Sequence, residues 1–144
     1  MGDIYNQNLA GRPTGNQNLT ANCPLGGTVL ITGTTGYSSN TGITTVNLNY
    51  DMSNCNISKV ASSATVTLTL TGKLTYTGSF NSATGYNSEN FQSQSLTMAG
   101  TAKRSSYADA QISQSCSFSE SVTASGGSGS VTGLICGRSV GWSY

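Results

Sequence analysis

The chain has 144 residues, with six Lys and Arg against five Asp and Glu, no His, and charged residues at only 8%, roughly a third of the usual share of about 25%. A net charge of +1 gives no electrostatic footprint for a phosphate backbone and argues against nucleic acid as a partner. Without His, Ser-His-Asp and Cys-His catalysis and His-bearing metal sites fall away, and the length suits one domain.

Residues 1–22 are polar and carry Asn-Gln-Asn-Leu twice, at Asn6–Leu9 and Asn16–Leu19, around the Gly11-Arg12-Pro13 break. They read as an extended N-terminal arm ahead of a single all-β domain over 23–144. An arm of this kind can add a strand to the open sheet edge of a neighbouring copy, and Ile4, Leu9 and Leu19 are its apolar teeth. No run approaches the ~18 apolar residues that span a bilayer, so no membrane insertion is expected.

From Gly26 onward the apolar period is two. Val29 and Ile31 alternate with Thr28, Leu30 and Thr32, and Val46, Leu48, Tyr50 and Met52 alternate with Thr45, Asn47, Asn49 and Asp51. Both read as strands with one wet face. The clearest run is Ala64 to Phe80, where Val66, Leu68, Leu70, Leu74, Tyr76 and Phe80 oppose a row of Thr from Thr65 to Thr77. Because strands longer than about ten residues are unusual, Gly72 and Gly78 are the expected places for this run to bulge or bend between two sheets.

Shorter beats follow at Leu96 and Met98, at Ile112, Cys116 and Phe118, at Val131 with Leu134 to Cys136, and at Val140, Trp142 and Tyr144. Ser125 to Ser130 reads as a hairpin loop between strands and not as a domain boundary. About eight strands and no helix are expected. Clean alternation favours antiparallel pairing, hence an antiparallel β-sandwich or small barrel, stapled by disulfides.

Cys23, Cys55, Cys116 and Cys136 stand far apart, without the close pairs of an all-cysteine zinc site or a Cys-x-x-Cys redox motif. Two disulfides are therefore expected, and with them an extracellular, cell-surface or periplasmic location. Four cysteines allow three pairings; Cys23 with Cys55 and Cys116 with Cys136 is the favoured one.

No constellation for an enzyme stands out, because Asp3, Asp51, Glu89, Asp109 and Glu120 are each isolated in sequence. No cofactor or metal is expected. Asn47, Asn49 and Asp51 project from one strand face and are the best ligand-like cluster, while Trp142 and Tyr144 share a face able to stack on a sugar ring. These five residues are the candidate ligand face of a carbohydrate-binding module. The Thr65 to Thr77 row raises ice binding as a further alternative.

The segment Cys23-Pro24-Leu25-Gly26-Gly27-Thr28-Val29, opening a Thr- and Gly-rich strand series, and Gly133-Leu134-Ile135-Cys136-Gly137 near its close resemble bacterial surface and filament-forming β-proteins in texture. The resemblance spans Cys23 to Gly137 and brings no catalytic or ligand motif with it. Uncharged polar sheets, disulfides and an extended N-terminal arm point to a secreted structural or adhesive subunit that associates with itself, with a glycan or another cell-surface component as candidate partner.

Overall fold

The structure is a computed structural model that describes residues 8–61, 64–105 and 107–144. Eight strands run in chain order: β1 (Gly15–Asn22), β2 (Thr28–Ser38), β3 (Ile43–Ala61), β4 (Ala64–Asn81), β5 (Tyr86–Arg104), β6 (Ala110–Ser125), β7 (Ser128–Ile135) and β8 (Arg138–Ser143). They form one antiparallel sheet in the order β1-β2-β3-β4-β5-β6-β7-β8, with β1 and β8 as its two edges. Among the described residues nothing pairs β1 with β8, so the sheet is open.

Alternation decides which face is wet. Val46, Leu48, Tyr50 and Met52 of β3 are buried while Asn47, Asn49 and Asp51 between them are exposed. Across the register the inner face continues through Val29 and Ile31 on β2, Leu74 and Tyr76 on β4 and Phe91 on β5. Val29, Ile31, Leu48, Tyr50 and Cys55 are fully buried. A flat single layer would leave them in water, so the sheet has to curl around them, in keeping with the right-handed twist and coiling of strands. Tyr76 lies at the centre of the inner face, stacked on Phe91 with ring centroids 4.6 Å apart and tilted against Tyr50 at 6.3 Å.

Residues 15–22, read from sequence as part of the polar arm, are β1 and pair with β2 over their whole length. The period-two pattern is present there in disguise. Gln17 takes an inner position between Gly15 and Leu19, and its amide donates to the Pro13 carbonyl at 2.9 Å and to Thr35 Oγ1 at 3.1 Å, which lets a polar side chain occupy a buried place. Leu9 is buried in the core and Leu19 packs against it.

The run from Ala64 does not divide between two sheets. It remains one strand of 18 residues, flanked by β3 and β5 with 19 each. The bend comes from register shifts in the pairing along one line across the sheet, between Met52 and Cys55, between Gly72 and Thr75, and between Ser93 and Leu96. An extra residue in one strand of a pair sharpens the local twist without ending either strand. Beyond this line, residues 55–61, 64–70, 96–104 and 110–116 pair with one another, and Asn56 is also joined to the β1–β2 loop.

Both disulfides join the favoured partners, Cys23 with Cys55 and Cys116 with Cys136. The first ties the β1–β2 loop to β3 just past the end of β2. That loop continues the ladder, with Leu25 N donating to Asn56 O at 3.1 Å and Asn56 N to Gly26 O at 2.9 Å. Gly27, at φ 80°, is required here because a Cβ would fall 1.9 Å from the Asn54 carbonyl oxygen. The second disulfide ties β6 to the β7–β8 turn. Cys136 and Gly137 have φ 51° and 75°, and Gly126 and Gly127 between β6 and β7 have φ 60° and 88°. Both connections thus take the primed two-residue form whose twist matches a hairpin.

Candidate functional site

The outer face is a field of amides and hydroxyls. Asn47, Asn49 and Asp51 lie on it, flanked by Thr34, Thr32 and Leu30 of β2 and by Thr77, Thr75 and Lys73 of β4. Asp51 sits 3.8 Å from the Lys73 ammonium, both exposed, so the single carboxylate of this trio already has a cation beside it. The Thr row of β4 faces the same way. Thr69 donates to Asn56 Oδ1 at 2.5 Å, while Thr67, Thr71 and Thr75 reach Ser58, Asn54 and Asn49 at 3.3–3.4 Å, so these hydroxyls are directed sideways at β3.

Trp142 and Tyr144 lie on the opposite, inner side of the sheet. Trp142 pairs with Val131, an inner-face residue, and the Tyr144 ring covers Gly129, where a Cβ would meet the ring at 2.6 Å. They remain 56% and 62% exposed, because β8 is an edge and none of the described residues covers its inner side. The structure therefore brings Asn47, Asn49 and Asp51 together and Trp142 and Tyr144 together, on opposite faces and five strands apart. Of the three arm residues, Leu9 and Leu19 belong to the chain's own core, and Ile4 lies outside the described residues.

Where the sheet bends, the outer face carries an open groove of about 800 Å³ lined by Lys73, Thr75, Gln92, Gln94, Ser119 and Leu134, among others. Its geometry comes from the bulge in β5. Gln94 and Ser95 are exposed in succession between buried Ser93 and Leu96, so two consecutive side chains point outward where a regular strand allows one. The irregular pairing leaves the Lys73 carbonyl to be satisfied by a side chain, and Ser93 Oγ donates to it at 2.5 Å. At the other end Ser117 and Gly137 complete the wall. They adjoin the Cys116–Cys136 disulfide, and Cys136 N donates to Ser117 O at 3.0 Å.

Sequence reasoning missed this groove. Its signal is a change of parity: the apolar beat falls on odd numbers at Phe91 and on even numbers at Leu96 and Met98, which places an extra residue between them.

On the inner face the fold joins two acids that are distant in sequence. Phe91 faces Glu120 and Glu89 faces Val122, so the two glutamates are diagonal neighbours across β5 and β6. Glu89 accepts a hydrogen bond from the Tyr76 hydroxyl. Burial pushes the Glu120 carboxyl above its ordinary range, because desolvation penalises the charged form.

The folded chain thus holds this proton at a pH where the unfolded chain has lost it, so the Glu120 contribution to stability falls as pH rises through that window. Glu120→Gln should melt at a higher temperature than the parent near pH ~7 and at the same temperature near pH ~3, where the carboxyl is protonated in both states. Equal melting of the two proteins at neutral pH would show that Glu120 is solvated.

Among the described residues no three His, Cys, Asp or Glu side chains gather into a metal-binding group. No helix there is long and apolar enough to cross a membrane. No family model, curated protein or solved structure matches the chain. Function therefore rests on geometry.

Proposed function

We propose that the protein is a secreted structural and adhesive β-subunit that associates with other copies through its open sheet edges. The observation that carries this reading is the unclosed sheet: eight strands end in two edges, β1 and β8. Natural sheets blunt such edges with Lys, Pro, bulges or inward charges. The strands GNQNLTAN and RSVGWS contain one charged residue, Arg138, and no Pro, and neither carries a register shift. Exposed Trp142 and Tyr144 beside β8 supply apolar surface that a neighbouring strand would cover, at roughly 25 cal/mol per Å².

Two disulfides suit an oxidising compartment and support placing the subunit outside the cell. A low-charge polar surface suits durable association at any salt concentration, since there is little charge to screen. The curled sheet is best read as the open counterpart of a small barrel, with a neighbour's strand in the place where closure would otherwise occur.

Sedimentation velocity over a wide concentration range, with negative-stain microscopy of the concentrated sample, tests the proposal. Average mass should rise with concentration. Val140→Lys combined with Trp142→Lys should weaken association at least about tenfold, or ~1.4 kcal/mol. A parent protein that remains monomeric at every concentration would refute it.

A further inference from the structure

We infer that the groove at the bend of the outer face is a binding site for a neutral polysaccharide chain, independent of the sheet edges. The lining fixes the ligand class. Gln92, Gln94 and Ser119 offer amide and hydroxyl groups that both donate and accept, the repertoire needed by sugar hydroxyls, which also do both. Among the described residues the groove's lining holds no carboxylate and one cation, Lys73, which is offset by Asp51 at 3.8 Å. An anionic or cationic ligand would find no countercharge there.

Leu134, 46% exposed, supplies an apolar surface on the same wall, matching the C–H faces that a pyranose presents between its hydroxyls. The groove is open and not enclosed, which fits a segment of a chain better than a small metabolite, since small-molecule pockets bury most of their ligand.

The groove is also pre-organised. The β5 bulge is held by the Ser93 bond to the Lys73 carbonyl, and the far wall is fixed by the Cys116–Cys136 disulfide. The side chains that would meet the ligand are mounted on strands, not on loops, so little ordering cost falls on the protein when it binds. At the near end Gly72, φ 123°, lets β4 and β5 close up at the bulge, since a Cβ there would come within 2.8 Å of the Ser95 carbonyl oxygen.

Amide NMR titrations of the full chain provide the test, with soluble cello-oligosaccharides and chito-oligosaccharides as neutral probes and a sulfated heparin oligosaccharide as the charged comparator. At least one neutral probe should shift the amides around Thr75, Gln92, Gln94 and Ser119. Gln92→Ala with Gln94→Ala, both exposed positions, should weaken it at least about tenfold, equivalent to ~1.4 kcal/mol, with the remaining spectrum unchanged. Ser119→Trp, which fills the groove, should abolish it.

The inference is overturned if neither neutral probe shifts these amides, if the double variant binds as tightly as the parent, if the sulfated probe binds more tightly, or if the shifts map to Trp142 and Tyr144. None of these outcomes depends on self-association. A failure here leaves the edge proposal standing, and a failure there leaves this one.

Discussion

Leu48→Ala should lower the unfolding free energy by about 4 kcal/mol, toward the upper part of the ~2–5 kcal/mol range for buried leucines. The reason lies in its neighbours. Leu48 is fully buried and faces Gly33 on β2 and Tyr76 on β4. Gly33 has no side chain to move into the vacated space, and a Cβ added there would meet the Asn47 carbonyl oxygen at 2.1 Å, so the β2 backbone is already as close as it can come. Tyr76 is held by its stack on Phe91 and its bond to Glu89. The cavity should therefore stay open, and the cost of a truncation rises with the volume left unfilled. Chemical denaturation followed by circular dichroism measures the change; a loss under about 1 kcal/mol would mean that the inner face repacks freely.

Removing the first disulfide should have an effect of similar size. Cys23 and Cys55 are 32 residues apart and Cys116 and Cys136 are 20 apart, for which the chain-entropy relation gives about 3.7 and about 3.3 kcal/mol. The Cys23–Cys55 bond also anchors the β1–β2 loop on β3, where Leu25 and Asn56 continue the ladder. Both sulfurs of this bond belong to buried residues, so alanine is the suitable replacement, since serine would bury a hydroxyl. Cys23→Ala with Cys55→Ala should lower the melting temperature by about 8–16 °C, and Cys116→Ala with Cys136→Ala by less. The opposite order in calorimetry would show that native contacts around the second bond outweigh loop length.

Much of the fold is legible in the sequence, where one physical rule acts alone. The strands over Val46–Met52 and Val66–Phe80 show themselves because apolar and polar residues alternate across a half-buried surface, interrupted only at Gly72 and Gly78. Spacing leaves three pairings of the four cysteines open, and the observed one is that in which each bond bridges elements that neighbouring strands bring side by side. β1 is hidden because Gln17 stands at an inner position, and only its bonds to Pro13 and Thr35 reveal why a polar residue is tolerated there. The strand around Phe91 is hidden because a single aromatic among Asn, Ser, Glu and Gln makes no visible beat.

The groove leaves one trace in the sequence, the change of parity between Phe91 and Leu96, and the Glu89–Glu120 neighbourhood leaves none. Both depend on which strands are adjacent and on how far each slips against the next. A one-residue slip exchanges the two faces of a strand, and the slips at Met52–Cys55 and Ser93–Leu96 are set by tertiary pairing. The candidate ligand face illustrates this. Asn47, Asn49 and Asp51 share a face because they share one regular strand, whereas grouping them with Trp142 and Tyr144 required the parity of every intervening strand.

The strand order has a bearing on how the molecule can be made. Each strand pairs with the one synthesised just before it, so a chain delivered from its N-terminal end, as through a narrow export pore, never has to wait for a distant partner. Each new hairpin would find its template in place, and the rate-limiting search through long loops that slows most β-proteins would be bypassed. Such vectorial growth always leaves one naked edge facing the newest strand, which is a hazard in a crowded space and a convenience where subunits are meant to meet.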